Sequence, residues 1–482
     1  MTFKTHYSLL LALLLLAACS SPSAQTPAAQ ETTVQKPNII YILADDLGYG
    51  DLSSYGQTKF ETPNIDRLAA QGIRFTQHYA GTTVCAPSRS ALLTGQHTGH
   101  TFIRGNKEHR PEGQYPLADS VQTLFELLDQ AGYVTGAFGK WGLGYPGSEG
   151  DPNNQGVDDF FGYNCQRFAH HYYPRHVWHN QDSVVLEANQ GSDKGTYAPT
   201  LIQDQLLSFL EAHQDTSFFL FVPHVIPHAE LTAPAAYMER YRGKFMPEKS
   251  YQGYDEGPEY RLGDYESQAE AHAAFAAMVA VLDDHVGQIM DKLDELGLAE
   301  NTLVIFTSDN GPHEEGGADP EYFNSNGPLR GLKRDLYEGG IRVPMIARWP
   351  GTIAPNQESD HISAFWDVLP TLAELTDTPV PNNIDGISFL PTLLGEEQPQ
   401  HDYLYWEFHE KGGRVAARKG PWKAVRYNVD EANSPLELYY LPDDIGEQHD
   451  VADQHPEVVA DMEAILKQAH TPSEVFAFQN ER

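Results

Sequence analysis

Residues 37–44, Pro37-Asn38-Ile39-Ile40-Tyr41-Ile42-Leu43-Ala44, form an almost unbroken apolar run that stops at Asp45-Asp46. A strand without polar alternation must bury both faces, which a helix-covered parallel sheet provides. Similar runs recur at 133–138, 217–222, 302–308 and 343–349. Segments with helical character lie between them. Residues 62–71 have Thr62 placed as a cap and Pro63 in the first turn. Residues 120–131 stop at Gly132, and another helix is expected at 198–213. In 268–296 one apolar face is marked by Phe275, Met278, Val279, Leu282, Val286, Ile289, Leu293 and Leu296. This alternation predicts an α/β fold, a large and mostly parallel sheet flanked by helices. Ligands of such sheets gather beyond the carboxyl ends of the strands, and both Asp45-Asp46 and Asp309-Asn310 fall at such ends.

The pattern changes after residue 400. Short strand-like runs at 403–408, 415–419, 422–427 and 437–441 precede a helical stretch at 456–469. They predict a smaller C-terminal α+β subdomain, 401–482, after a principal domain at 37–400. At the other end, Lys4 precedes an apolar run, 9–16, closed by Leu16-Ala17-Ala18-Cys19. That run is too short to span a bilayer and reads as an export signal, 1–18. Its ending resembles a bacterial lipobox. The resemblance implies that Cys19 is lipidated and holds the protein in the cell envelope, at the outer membrane, through a tether at 19–36.

The net charge of −35 excludes nucleic acid as a partner, because phosphate binding needs a basic face. An anionic substrate would need a locally positive pocket, since long-range repulsion is screened over about 8–10 Å at moderate salt. Only three cysteines are present, Cys19, Cys85 and Cys165, too few for a disulfide framework. A Cys85–Cys165 disulfide competes with any reactive role for Cys85.

The run Cys85-Ala86-Pro87-Ser88-Arg89-Ser90-Ala91-Leu92-Leu93-Thr94-Gly95 resembles the signature of the type I sulfatases of the alkaline phosphatase superfamily. In that family a maturation enzyme oxidises the cysteine of Cys-x-Pro-x-Arg to formylglycine. The resemblance implies an alkaline phosphatase-like fold and a hydrated aldehyde at position 85. One hydroxyl attacks sulfur, and the other later collapses the covalent sulfo-enzyme. Asp45, Asp46, Asp309 and Asn310 match the family's calcium ligands, with residue 85 completing the shell. Oxygen donors of this kind favour one Ca²⁺ ion, with Mg²⁺ as the weaker alternative. Taken alone, each pair reads equally well as a turn or a cap.

Arg89 matches the arginine that holds the hydrate, and a helix expected at 88–93 would direct its amides at an anion. Lys140 and Lys333 match sulfate-binding lysines. His228 matches the histidine near the leaving oxygen, which as an imidazolium would protonate it; His224 is its rival. One departure stands out. Many family members read Gly-Lys-Trp-His where this chain has Gly139-Lys140-Trp141-Gly142. The missing histidine helps release sulfate, and Asp309, His97, His100, His409 or water could replace it.

The aromatic and polar stretch at 151–180 reads as substrate-facing, with Arg167, His170 and His171 as contacts. Arg104 and His409 are expected at the rim. With the Gly-Lys-Trp-Gly motif, this stretch resembles bacterial sulfatases acting on sulfated galactose or N-acetylgalactosamine. The leading expectation is calcium-dependent hydrolysis of sulfate esters on a glycan. The alternatives are a phosphomonoester or phosphonate-ester hydrolase, and a catalytically inactive glycan-binding lipoprotein suggested by Gly142.

Overall fold

The apolar run at 37–44 becomes the central strand of the molecule. The computed structural model describes residues 1–2, 36–257, 260–431 and 433–481. The expected signal segment, the tether and Cys19 lie outside the described residues, apart from residues 1, 2 and 36. Residues 36–482 form one unit.

Strands β1 (Asn38–Asp45), β2 (Ile73–Tyr79), β3 (Val134–Lys140), β4 (Asp159–Tyr163), β5 (His176–His179) and β6 (Asp182–Val185) enter the main sheet. So do β7 (Phe218–Pro227), β8 (Thr302–Ser308), β9 (Arg342–Arg348), β10 (Gln357–Ser359) and β11 (Ser363–Ala364). The order is β10-β2-β9-β8-β1-β7-β3-β4-β5-β6, with β11 beside β2. The centre, β8 to β4, is parallel as expected. The flanks are not: β9 runs antiparallel to both neighbours, and β5 and β6 form a hairpin on β4. The sheet is therefore mixed overall. Every residue of β1 is buried, because one core cluster covers Ile40 and Ile42 while another covers Ile39 and Tyr41.

Parallel register aligns the chemistry. Asp45 lies opposite Pro227 of β7, and Ala44 opposite Ser308 of β8. The residues just beyond these points, Asp46, His228 and Asp309, therefore emerge side by side. Lys140 ends β3, the next strand along.

Helix boundaries moved where tertiary partners intervened. The first helix is Pro63–Ala70, but Thr62 does not cap it. Thr62 Oγ1 instead accepts from Ser53 N at 3.0 Å. The amides of Asn64 and Ile65 donate to Asp283 at 3.0 and 2.8 Å. That carboxylate sits on the Ala271–Glu295 helix, which is buried on nearly every side rather than along one face. The helix expected at 120–131 is shortened to Leu124–Gln130 by a capping box between Thr123 and Glu126.

Beyond residue 400, β12 (Leu404–Phe408), β13 (Arg414–Lys419), β14 (Trp422–Tyr427) and β15 (Glu437–Tyr440) form a smaller antiparallel sheet. Period-2 alternation buries both faces. Tyr405, Ala417, Ala424 and Leu438 pack under the Pro456–Gln468 helix, while Trp406, Ala416 and Val425 pack against Tyr79 and Trp366 of the main body.

Candidate active site

The helix that carries Cys85 runs from Cys85 to Thr94, three residues earlier than expected. Cys85 is thus its first residue, and Val84 supplies no side-chain cap. Asn106 Oδ1 accepts the freed Ala86 amide at 3.1 Å, and Ser88 Oγ donates to Asp309 O at 2.6 Å. These bonds fix the helix start against the end of β8.

Cys85 is 2% exposed. Its Sγ lies 3.4 Å from Asp45 Oδ1, 4.0 Å from Asp46 Oδ1 and 3.5 Å from Lys140 Nζ. Asp46 adopts a left-handed conformation, φ 64°. This is uncommon outside glycine and turns the chain directly after the strand. Each carboxylate has a cation. Lys140 Nζ is 2.7 Å from Asp45 Oδ2, Lys333 Nζ is 2.7 Å from Asp46 Oδ2, and Arg89 Nη2 is 2.9 Å from Asp309 Oδ2. Arg89 also reaches Asp45 at 3.7 Å.

Three carboxylates against three cations make this cluster balanced by itself. Burial pushes the Asp45 carboxyl up, but Lys140, His228, Arg89 and Lys333 together hold it well below the usual range. Asp46 is likewise lowered against its burial, by Lys333, His228 and His313. Asp309 goes the other way, to about 7, through burial and the neighbouring Asp45, against the opposing pull of Arg89 and Lys140. Burial pushes the Cys85 thiol up as well.

Asn310 identifies what the cluster can hold. Its Nδ2 donates to Asp46 Oδ1 at 2.7 Å, yet its buried Oδ1 has no partner. An unpaired amide oxygen beside crowded carboxylates fits a hard dication, which would also turn the balanced cluster positive. Ligand atoms of Asp45, Asp46, Cys85 and His228 lie within 4.8 Å of one another. Asp309 joins through Asp46, whose amide donates to its Oδ1 at 3.0 Å.

His228 stands beside Lys333 and Asp46, 3.0 and 3.4 Å from them. Burial and the adjacent Lys333 lower it to about 4, although Asp46 opposes them. Its Nδ1 donates to Ala229 O at 2.5 Å, and its Nε2 accepts from Lys333 Nζ at 3.0 Å. His170 stacks on it, ring centroids 4.8 Å apart. Arg167 lies across Gly263, close to this stack.

The structure corrects other expectations. His171 is buried and bonded to Glu230 and Gly263 N, so it braces the loop rather than facing a substrate. Arg104 is buried on Thr101 O and Thr471 Oγ1, and His409 is bonded to Glu407 at 2.8 Å. Both belong to a polar knot that anchors the C-terminal residues. His100 is tied to Asp385 at 2.8 Å, with His97 stacked on it, and His224 pairs with His285 at 3.0 Å. Cys85 and Cys165 are both free thiols, so the competing disulfide does not form.

Gly142 has φ 80°, and its side is filled from elsewhere. A Cβ there would meet Gln166 Cγ at 2.7 Å and Nε2 at 2.9 Å. Gln166 is 5% exposed and its Nε2 has no partner. Sequence reasoning had also missed Glu315, which pairs with Lys333 at 3.8 Å and with Arg334, and Tyr265, whose ring lies 5.1 Å from that of His170. A loop acid and a loop tyrosine carry no periodic signal.

Residues 37–378 match the family described as Sulfatase. The chain belongs to the sulfatase family. Residues 332–471 of this sulfatase also match the family described as N-sulphoglucosamine sulphohydrolase, C-terminal. It is 31% identical to an N-acetylgalactosamine-6-O-sulfatase of Bacteroides thetaiotaomicron, over 91% of this chain and 94% of that one. Identity with human arylsulfatase A is 34%, over 90% and 87%. The solved structure of Ps i-CgsB superposes with a TM-score of 0.76 at 27% identity, covering 92% of this chain and 95% of that one. The sulfatase is a sulfuric ester hydrolase with the fold of its neighbours, and its buried Asp/Cys/His group suits the metal ion typical of the family.

Proposed function

We propose that this sulfatase hydrolyses sulfate esters on a carbohydrate, N-acetylgalactosamine or galactose sulfate, using formylglycine at position 85 and one calcium ion. The observation that carries the reading is the placement of Cys85 at a helix start, 3.5 Å from Lys140 Nζ and 3.4 Å from Asp45. The relatives' substrates support the sugar: one is named for N-acetylgalactosamine-6-O-sulfate, and Ps i-CgsB is also solved with k-i-k-neocarrahexaose.

In this reading the Cys85 Sγ stands in for a hydrate oxygen. Asp45, Asp46, Asp309 and Asn310 would hold the calcium, which when bound draws charge from the sulfate oxygens. Lys140 and Lys333 hold two of those oxygens. The hydrate oxygen gives up its proton to water as it bonds to sulfur, and the bond from sulfur to the sugar oxygen breaks. That oxygen takes up a proton from the Lys333–His228 pair, whose atoms already share one across 3.0 Å. The second hydroxyl of residue 85 then passes its proton to water, the carbon–oxygen bond to sulfate breaks, and the aldehyde reforms and rehydrates. Arg89, bonded to Asp309, keeps the helix start and the β8 end in register during both halves.

The proposal includes a formylglycine-generating enzyme as maturation partner, and a lipid anchor on Cys19 at the outer membrane. Peptide mass spectrometry of protein from the native host tests the first. Residue 85 is expected as the aldehyde; an unmodified thiol there, with sulfate esters still cleaved, would refute the nucleophile. Fractionation of wild type and Cys19→Ala tests the anchor, which fails if both partition identically.

A further inference from the structure

One side of the Cys85 cluster is closed by a column of rings. His313 stacks on His228 at 5.4 Å and 19°, and His228 on His170 at 4.8 Å and 12°. Tyr265 leans across the outer end, 5.1 Å from His170 and 6.2 Å from His228. Exposure rises outward. His313 and His228 are 2% and 3% exposed, whereas His170 and Tyr265 are half-buried. The column therefore runs outward from the reaction centre toward less buried residues, and Tyr265 is the large ring at its outer end.

The strap that carries Tyr265 is held at both ends and in its second half. Tyr251 and Gln268 exchange backbone bonds at 2.7 and 2.9 Å, and Tyr254 N donates to Tyr265 O at 3.0 Å. Gly263 is gripped by consecutive histidines: His170 Nδ1 donates to its carbonyl at 2.7 Å, and its amide donates to His171 Nε2 at 2.8 Å. Its φ is 122°, and a Cβ there would meet Arg167 at 2.2 Å. Only glycine lets Arg167 lie across the strap. Tyr265, two residues on, is thus fixed before any ligand arrives, so little ordering entropy is lost on binding.

We propose that Tyr265, with the edge of His170, is a stacking platform for the sugar ring that bears the sulfate, and that it selects galacto over gluco configuration. This rests on the carbohydrate reading and names the residue that sets its specificity. Aromatic faces are electron-rich and attract C–H bonds. In a galacto ring the axial O4 leaves the C–H bonds at C3, C4 and C5 on one face. In the gluco epimer the C4 hydrogen points to the other face and that patch is broken.

The test compares wild type, Tyr265→Ala, Tyr265→Phe and Gly263→Ala on N-acetylgalactosamine 6-sulfate and its glucosamine epimer. Wild type should prefer the galacto ester. Tyr265→Ala should raise its KM about tenfold, leave kcat within about twofold, and flatten the epimer ratio. Gly263→Ala should flatten it too, without touching the ring, and Tyr265→Phe should keep it. An epimer ratio unchanged in Tyr265→Ala overturns the platform, as does a loss confined to kcat, or a wild type that takes both sugars equally. If wild type cleaves para-nitrophenyl sulfate but neither sugar, the platform and the carbohydrate reading fall while sulfatase chemistry stands. If protein with verified formylglycine cleaves no sulfate ester, the function itself fails and the platform with it.

Discussion

Replacing Gly142 with alanine imposes two separate penalties. The first is conformational: φ 80° is a left-handed setting that costs a non-glycine residue about 1–2 kcal/mol. The second is steric, because the new Cβ would stand 2.7 Å from Gln166 Cγ, and overpacking a closed site costs about 1–3 kcal/mol. Gly142→Ala should therefore lose about 2–5 kcal/mol. Gln166→Ala removes the second penalty and also a buried amide nitrogen without a partner, whose burial alone costs about 1–3 kcal/mol. The double variant should retain only the conformational loss, giving a coupling of about 1–3 kcal/mol between the two sites. Urea unfolding of the four proteins, read by tryptophan fluorescence with the slope checked for constancy, measures it. A coupling below about 0.5 kcal/mol would mean that Gln166 does not fill the space beside Gly142. The structural account of this departure from the family motif would then be wrong.

Cys85→Ala should reduce sulfate-ester turnover to background while circular dichroism stays unchanged; substantial residual turnover would exclude residue 85 as nucleophile. Chelation should inactivate the wild type and lower its Tm, with calcium restoring both, because the dication binds the folded carboxylate cluster and not the unfolded chain. Full activity in chelator would sink the metal assignment. Asn310→Leu should weaken calcium binding through loss of its unpaired oxygen, measured by calorimetry on the apo protein. His470 is clamped between Glu407 and Glu481 at 2.6 Å each, and these bonds raise it above its ordinary 6.5 despite burial. A raised histidine stabilises fully below its unfolded value and loses that contribution as pH rises through the folded one. Tm should fall on the alkaline side of pH 6.5, and His470→Gln should remove that part of the profile.

Much of the site was readable because it hangs on regular structure. Asp45, Asp46 and Asp309 follow apolar runs whose ends were visible, and Lys140 lies two residues past the run at 133–138. Lys333 and His228 lie in less regular sequence and were legible only through the family motif. Arg104, His171 and His409 looked like substrate contacts by composition, yet each is consumed by a framework bond. The type of a side chain does not tell which way it faces.

The sequence alone determined that buried strands alternate with helices, that acidic pairs follow two of those strands, and that a short helix lies in the Cys85 motif. These are local properties, set by apolar period, capping and motif spacing. Only the tertiary structure decided that the cluster around Cys85 is charge-balanced, that Asn310 carries an unpaired oxygen, and that Gln166 stands beside Gly142. It alone placed Tyr265 at the outer end of a histidine column. Those facts join residues far apart in the chain, and strand register and loop packing, not local sequence pattern, bring them together.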